Sequence, residues 1–294
     1  MPFDADLFEP YRPLLFSIAY RMLGSAMEAE DMVQEAYLRA NRANPHEIDA
    51  PKAYLSKIVT RLCLDHLKSA RSQRESYIGT WLPEPISTEA PSLIADQHEA
   101  ISIAFLALLE NLSPVERAIF LLRDVFDYPY TDIAQIVGKR EDNCRRYYRH
   151  AKQFLTENRP RFTSSVETQK KLVAQFLQVL ATGDLDGLTA LLAEEVTLYG
   201  DGGGKAPAIK QPLVGREAVL RLLIGSSRLL HTHPIDIEIR EINGAAALLF
   251  WEGEKLHFVM NITVHENRIV LLHNILNPDK LTGLRRGERE MDEI

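Results

Sequence analysis

The clearest chemistry in this 294-residue chain lies in two clusters of cationic side chains. Between Lys139 and Arg161 there are eight Lys or Arg against three acids. Lys139, Arg140, Arg145, Arg146 and Arg149, with Asn143 among them, fall where a single helix would carry them. Between Lys52 and Arg74 there are six bases against one acid, among them Lys52, Lys57, Arg61, Lys68 and Arg71. Cations at helical spacing suit contacts to phosphates and base edges; a solvated surface helix is the plain alternative. A third set has the opposite sign. Asp31, Gln34 and Glu35 share one helix face at i, i+3, i+4. Helix-dipole electrostatics favours acids in a first turn but fades before Asp31 and Glu35, so a docking face for a protein partner is the alternative there.

The elements that must hold these residues are legible. Ser113, Pro114 and Glu116 make a capping box with a proline at the first helical position, and Ile119, Leu122 and Phe126 then recur at helical spacing. A short amphipathic helix near Thr131–Val137 ends at Gly138, a residue that takes positive φ at no cost. The basic helix starts near Arg140, with Tyr147 and Phe154 placed to pack on one side and the arginines on the other. Helix, glycine turn and basic helix make the helix-turn-helix pattern. Upstream, residues 4–23 predict one amphipathic helix on Leu7, Leu14, Leu15, Ile18, Ala19 and Met22, ended by Gly24. Ser25 caps the helix that bears the acidic face. Asn44–Pro51 reads as a loop. A long helix over 52–74 buries Tyr54, Leu55, Ile58, Leu62 and Leu67.

Composition sets limits. Hydrophobic residues make up 46% of the chain, enough for two or three cores. No apolar run reaches the ~18 residues of a membrane span, and the acidic start does not read as a secretory signal. Cys63 and Cys144 have no metal-ligand spacing, which predicts a reduced, cytoplasmic protein with no metal and no cofactor. The net charge of −7 is unusual for a DNA binder. Such a chain would bind free DNA weakly, and this points to a partner that supplies further affinity.

Residues 75–98 predict a linker with three prolines, in which the run from Trp81 to Pro85 reads either as an anchor or as a stretch that packs incidentally on a neighbouring helix. Past Arg161 the pattern changes. Helices over Val166–Thr182, over residues after Gly183 and over Gly215–Leu230 are followed by strands at Pro234–Ile242, Ala245–Trp251, Leu256–Val264 and Ile269–Leu276. This predicts an α+β domain with a curved antiparallel sheet. Its chemical candidates are Tyr199, Asp201, Trp251, His257 and His273, with Asn261 on the strand face that carries His257. They form no nucleophile–base set and no paired carboxylates, so a small-ligand pocket or a structural role is read in place of catalysis. Asp201-Gly-Gly-Gly-Lys205 lacks the spacing of a phosphate loop. Its glycines predict a mobile, close-approach loop that makes a switchable contact with a protein surface.

These motifs together resemble a known family. AEDMVQEAYLRA and KAYLSKIVTRLCLDHLKS are similar to the polymerase-clamp helix and the promoter −10 helix of region 2 in bacterial sigma factors of the extracytoplasmic-function (ECF) class. Leu112–Leu155 resembles the region-4 helix-turn-helix that reads the −35 element. The C-terminal part resembles the SnoaL-like cone of the nuclear-transport-factor-like superfamily. Three short signatures, Trp81-Leu82-Pro83-Glu84-Pro85, Asp201-Gly202-Gly203-Gly204-Lys205 and Asn277-Pro278-Asp279-Lys280-Leu281, match the group with a SnoaL-like extension, ECF group 41.

The resemblance implies two all-α sigma domains at 1–74 and 99–162, a linker at 75–98, an α+β regulatory domain at 163–281 and a disordered tail at 282–294. It implies core RNA polymerase (β′ clamp and β flap) and promoter DNA as partners, with no enzymatic activity. Asp31, Gln34 and Glu35 would grip polymerase. Asn44 with the basic residues of 52–71 would hold a melted CGTC-like −10 element, and the basic residues of 139–149 a TGTCACA-like −35 element. Where the family more often has Ser or Thr early in the recognition helix, this chain has Glu141, Asp142 and Asn143. The three signatures would carry an intramolecular contact with the sigma domains, and the cone a small ligand. A helix-turn-helix-tethered sensor or enzyme and a plain repressor are the competing readings.

Overall fold

The computed structural model describes residues 5–42, 48, 50–88, 101–158, 166–230 and 234–286. Two compact units emerge, one from Met1–Tyr77 with Ala90–Arg161 and one from Ile78–Glu89 with Phe162–Ile294.

The first unit is helical. The segment predicted as one helix over 4–23 is α1 (Ala5–Phe8), a 3-10 turn (Glu9–Tyr11) and α2 (Arg12–Leu23). Pro10 and Pro13 supply no amide hydrogen, and the helix restarts at Arg12 with Pro13 in its first turn. Leu7, one of the apolar positions of the predicted helix, is 49% exposed. Gly24 closes α2 at φ 69°, and the Ser25 hydroxyl accepts from the Glu28 amide to open α3 (Ala26–Ala40). Ala29, Val33, Ala36 and Ala40 form the buried stripe of α3, and such small residues permit close approach of helices. α4 runs Pro51–Glu75 and buries Leu55, Val59, Leu62 and Leu67.

After α5 (Ile103–Leu109), the capping box on Ser113 and Glu116 opens α6 (Pro114–Phe120), which widens into a π-turn at Leu121–Val125. α7 (Tyr130–Val137) ends on Gly138 at φ 66°, and α8 (Glu141–Asn158) follows. The buried stripe of α8 is Cys144, Ala151 and Leu155, with Tyr148 stacked on Phe120 at 6.2 Å. Tyr147, one residue off that stripe, instead lies under the Arg146 guanidinium.

The second unit layers α9 (Val166–Thr182), α10 (Leu185–Leu191) and α11 (Arg216–Leu230) on a six-stranded sheet. Its strands are β1 (Leu192–Asp201), β2 (Leu213–Val214), β3 (Asp236–Ile242), β4 (Ala245–Glu252), β5 (Lys255–His265) and β6 (Arg268–Ile275), in the order β2-β1-β6-β5-β4-β3. The predicted antiparallel sheet is in fact mixed, because β1 pairs parallel with β6. β6 returns from the β3–β6 meander to a strand laid down before α11, so direction is set by the crossover. The core joins Val173 and Phe176 of α9 to Leu198, Leu248, Ile262 and Leu272 on one sheet face.

Residues 282–286, predicted as the start of a disordered tail, are held at three points. Leu284 is buried, the Arg285 carbonyl accepts from Arg240 at 2.7 Å, and Arg286 pairs with Asp236 at 2.6 Å. The remaining tail residues, 287–294, lie outside the described residues.

Candidate functional site

The three signature motifs meet in the second unit. Asp201, at the end of β1, is fully buried, and its Oδ2 accepts from the Leu82 amide at 2.8 Å and from Lys280 Nζ at 2.7 Å. Lys280 Nζ also donates to the Leu82 carbonyl at 2.5 Å and lies 4.1 Å from the Trp81 ring centroid. One ammonium thus satisfies a carboxylate, a carbonyl and an aromatic face. The geometry is convergent because Asn277 caps a 3-10 turn at Pro278–Lys280, and the Leu276 and Asn277 amides donate to the Asp201 carbonyl at 2.7 and 2.9 Å. Around this node the glycine loop is a tight turn. The Lys205 and Ala206 amides donate to the Gly202 carbonyl, and a Cβ on Gly202 would stand 2.2 Å from the Ala206 carbonyl oxygen. Lys205 then points outward to Asp279. A mobile, switchable loop was predicted here; both of its charges have partners in this unit.

The linker continues along the sheet edge. The Ile86 amide donates to Asn243 Oδ1 at 2.9 Å, the Asn243 amide to the Ile86 carbonyl at 2.9 Å, and Thr88 bonds Glu241. Leu82, Pro83, Glu84 and Pro85 are buried. Within the Trp81–Pro85 run expected as an anchor, Leu82 is the side chain that disappears, at 1% exposure, while Trp81 is half-buried under Lys280 Nζ.

In the first unit the basic helices present two different situations. On α8, Arg145, Arg146 and Arg149 are exposed, as are Lys139 and Arg140 just before it, while Asn143 is half-buried. Arg145 lies 4.5 Å from the Tyr130 ring centroid and bonds Glu141 at 3.1 Å, and Arg140 reaches Asp142 at 3.6 Å. Glu141 and Asp142 sit in the first turn, where the helix dipole favours acids.

On α4, Lys52, Arg61 and Lys68 are exposed and Lys57 is half-buried. Arg61 donates to the Ile136 and Gln135 carbonyls at 3.0 and 3.1 Å, and Lys52 stands 5.7 Å from the Tyr128 ring. Ser56 and Tyr128 share a buried 2.7 Å hydrogen bond, and burial raises the Tyr128 phenol pKa despite that bond. Helices α4 and α7 thus pack together, a contact that no local pattern announced. Asn44 lies outside the described residues, as does the side chain of Arg71.

On α3, Asp31 and Gln34 are exposed, and Glu35 bonds Arg39 at 2.8 Å. Met27 and Leu38, 65% and 50% exposed, extend the same face at i, i+4, i+7, i+11. Both escape the predicted set, though their position off the Ala29–Val33–Ala36–Ala40 stripe marked them.

The catalytic candidates do not form one centre. Asp201 is committed to Lys280 and Leu82. Trp251 donates to Glu238 at 2.9 Å, and His257 bonds Glu252 at 2.8 Å, so His257 does not join Asn261 as predicted. Asn261 lies opposite His273 across β5–β6, and Tyr199 stacks on His273 at 5.2 Å. Burial pushes the His273 imidazole down to about 4, so it is neutral. Its Nδ1 and the Asn261 Oδ1 are buried without a hydrogen-bond partner. Among the described residues no cluster has metal-binding composition, and no helix is long and apolar enough to cross a membrane.

Comparison with known proteins gives these surfaces a context. The Sigma-70 region 2 family model matches residues 7–73, and the Sigma-70, region 4 model matches residues 102–155. The ECF RNA polymerase sigma factor SigJ of Mycobacterium tuberculosis is 33% identical, covering 97% of this chain and 96% of the relative. The probable ECF RNA polymerase sigma factor SigI of the same organism is 32% identical over 94% and 93%. The crystal structure of M. tuberculosis SigJ superposes with a TM-score of 0.76, covering 95% of this chain and 99% of that one at 31% identity. The helix-turn-helix with its exposed arginines, the second basic helix and near-full-length similarity agree: the chain belongs to the ECF RNA polymerase sigma factor family.

Proposed function

We propose that this sigma factor is regulated in cis through the Asp201–Lys280–Leu82 node. The observation that carries the reading is that a buried ion pair of the C-terminal domain grips the backbone of the connector between regions 2 and 4 on both its amide and its carbonyl. A connector held at Leu82 restricts how far the two promoter-reading regions separate. In this reading Asp31, Gln34 and Glu35, with Met27 and Leu38, dock on core polymerase. Lys52, Lys57, Arg61 and Lys68 meet the −10 element, and Lys139, Arg140, Asn143, Arg145, Arg146 and Arg149 the −35 element. The reading is tested by promoter-dependent transcription with core polymerase, comparing the full chain with one lacking residues 277–294. Higher output from the shortened chain supports it; equal output refutes it.

A second reading is a small polar ligand for the C-terminal domain. It is favoured by the facing, buried and unpartnered Asn261 Oδ1 and His273 Nδ1. Native mass spectrometry tests it: a retained small mass that His273→Phe abolishes supports it, and a bare polypeptide mass refutes it.

A further inference from the structure

Helix α7 ends on a left-handed glycine cap. The Gly138 and Lys139 amides both turn back to the Ala134 carbonyl. The next two carbonyls, of Gln135 and Ile136, are taken by the Arg61 guanidinium of α4 at 3.1 and 3.0 Å. The last carbonyls of a helix carry its negative dipole end. A guanidinium that forks onto two adjacent oxygens is in the geometry it uses for two phosphate oxygens.

One turn before Arg61, Lys57 lines a cavity of about 340 Å³. Ala50, Ala53 and Tyr54 form its own wall, and Asp132 and Gln135 of α7 form the facing one. Lys57 and Asp132 therefore line the same cavity. The Ser56–Tyr128 hydrogen bond, buried at 2.7 Å, ties α4 to the segment that leads into α7, and Lys52 rests on the Tyr128 ring. Two cations of α4, Lys52 and Arg61, are therefore engaged by π-electrons or oxygens from residues 128–136.

We infer that α7 is an intramolecular stand-in for nucleic-acid backbone: its C-terminal carbonyls occupy Arg61, and Asp132 shares a cavity with Lys57, so region 4 and promoter DNA compete for this cationic face of α4. The inference rests on the proposed reading of α4 as the −10 helix. It differs from regulation through the Leu82 node, because this lock is built from regions 2 and 4 alone.

The test uses the full chain and a fluorescent single-stranded oligonucleotide carrying a CGTC element. Ser56→Ala and Tyr128→Phe remove the Ser56–Tyr128 hydrogen bond and leave every proposed DNA-contacting residue in place. Loss of a buried hydrogen bond predicts that each variant binds the oligonucleotide on the order of fivefold more tightly than the parent. A second measurement is the α3–α8 distance, read by electron spin resonance between labels at Met27→Cys and His150→Cys. Native Cys63 and Cys144 are buried, and burial raises both thiols, so they escape labelling. Tyr128→Phe is expected to add a longer-distance population. Unchanged affinity and unchanged distances in both variants, with Arg61→Ala still weakening binding, would overturn the lock and leave the −10 reading intact. If Arg61→Ala and Lys57→Ala leave binding unaltered, the −10 reading fails and the lock fails with it.

Discussion

Asp201 and Lys280 show what a single pair of residues can impose. The carboxylate is wholly removed from water and the lysine side chain is 11% exposed. Breaking such a pair from one side leaves a buried charge without its counter-charge, a loss of about 3–5 kcal/mol. Asp201→Asn should therefore lower the stability of the second unit by about that much in urea melts of the full chain. Asp201→Leu combined with Lys280→Met should cost less than the two single changes summed, because neither charge is then stranded. Additive costs would show that the two side chains do not act as a pair.

His273 gives a prediction with a sign. Its folded-state pKa lies near 4, below the ordinary 6.5, because of burial. Between those values the unfolded chain binds the proton and the folded chain does not. The stability of the second unit is therefore complete above about pH 6.5 and falls as pH drops toward 4, by up to about 3 kcal/mol. Denaturant midpoints across that range should show this slope, and His273→Gln should flatten it. A midpoint that rises on acidification would contradict the assignment.

The legibility of individual residues followed the distance between partners in the chain. Ser113 with Glu116 and the left-handed Gly138 were readable because cap and turn chemistry is local. Asp201 with Lys280, and Ser56 with Tyr128, were not, because 79 and 72 residues separate the partners. A motif containing both Asp201 and Lys205 says nothing of which charge turns inward.

At the scale of elements, α8 is a helix whose buried stripe and basic face are separated by the 3.6-residue period. This is why its arginines could be picked out from sequence. Arg149→Ala should weaken binding of the polymerase-bound factor to promoter duplex and reduce the salt slope by about 1, as loss of one phosphate contact does. An unchanged slope would remove Arg149 from the interface. The capping box fixes where α6 begins. Ser113→Ala should cost about 1 kcal/mol of stability in the first unit, and Ser113→Asp much less.

Element boundaries were harder to read. Prolines 10 and 13 divided what looked like one helix, since hydrophobic periodicity ran through them unbroken. Strand existence followed from alternation, but the parallel β1–β6 pairing did not. A period of two records which face is buried and carries no information on direction.

At the scale of the molecule, regions 2 and 4 belong to one helical unit, while residues 78–89 of their connector belong to the other. The composition break after Arg161 and the proline-rich stretch announced a change of domain. That the connector would follow the C-terminal domain was beyond the sequence pattern, since Leu82 bonds residues 119 and 198 positions away. The acidic net charge of −7 fits a factor whose affinity for DNA is completed by polymerase.

The most direct test of cis-regulation is run-off transcription by purified core polymerase from a template with TGTCACA-like and CGTC-like elements. The full chain would be compared with Lys280→Met and Lys205→Met. Lys280 is buried against Asp201, Leu82 and Trp81, whereas Lys205 makes a solvent-exposed pair with Asp279. Exposed pairs contribute about 0–1 kcal/mol, so Lys205→Met should leave output near that of the parent. Release of the connector in Lys280→Met should raise output several-fold. Parental output from Lys280→Met, with the factor still bound to polymerase, would contradict the claim that the C-terminal domain governs this sigma factor through its grip on Leu82.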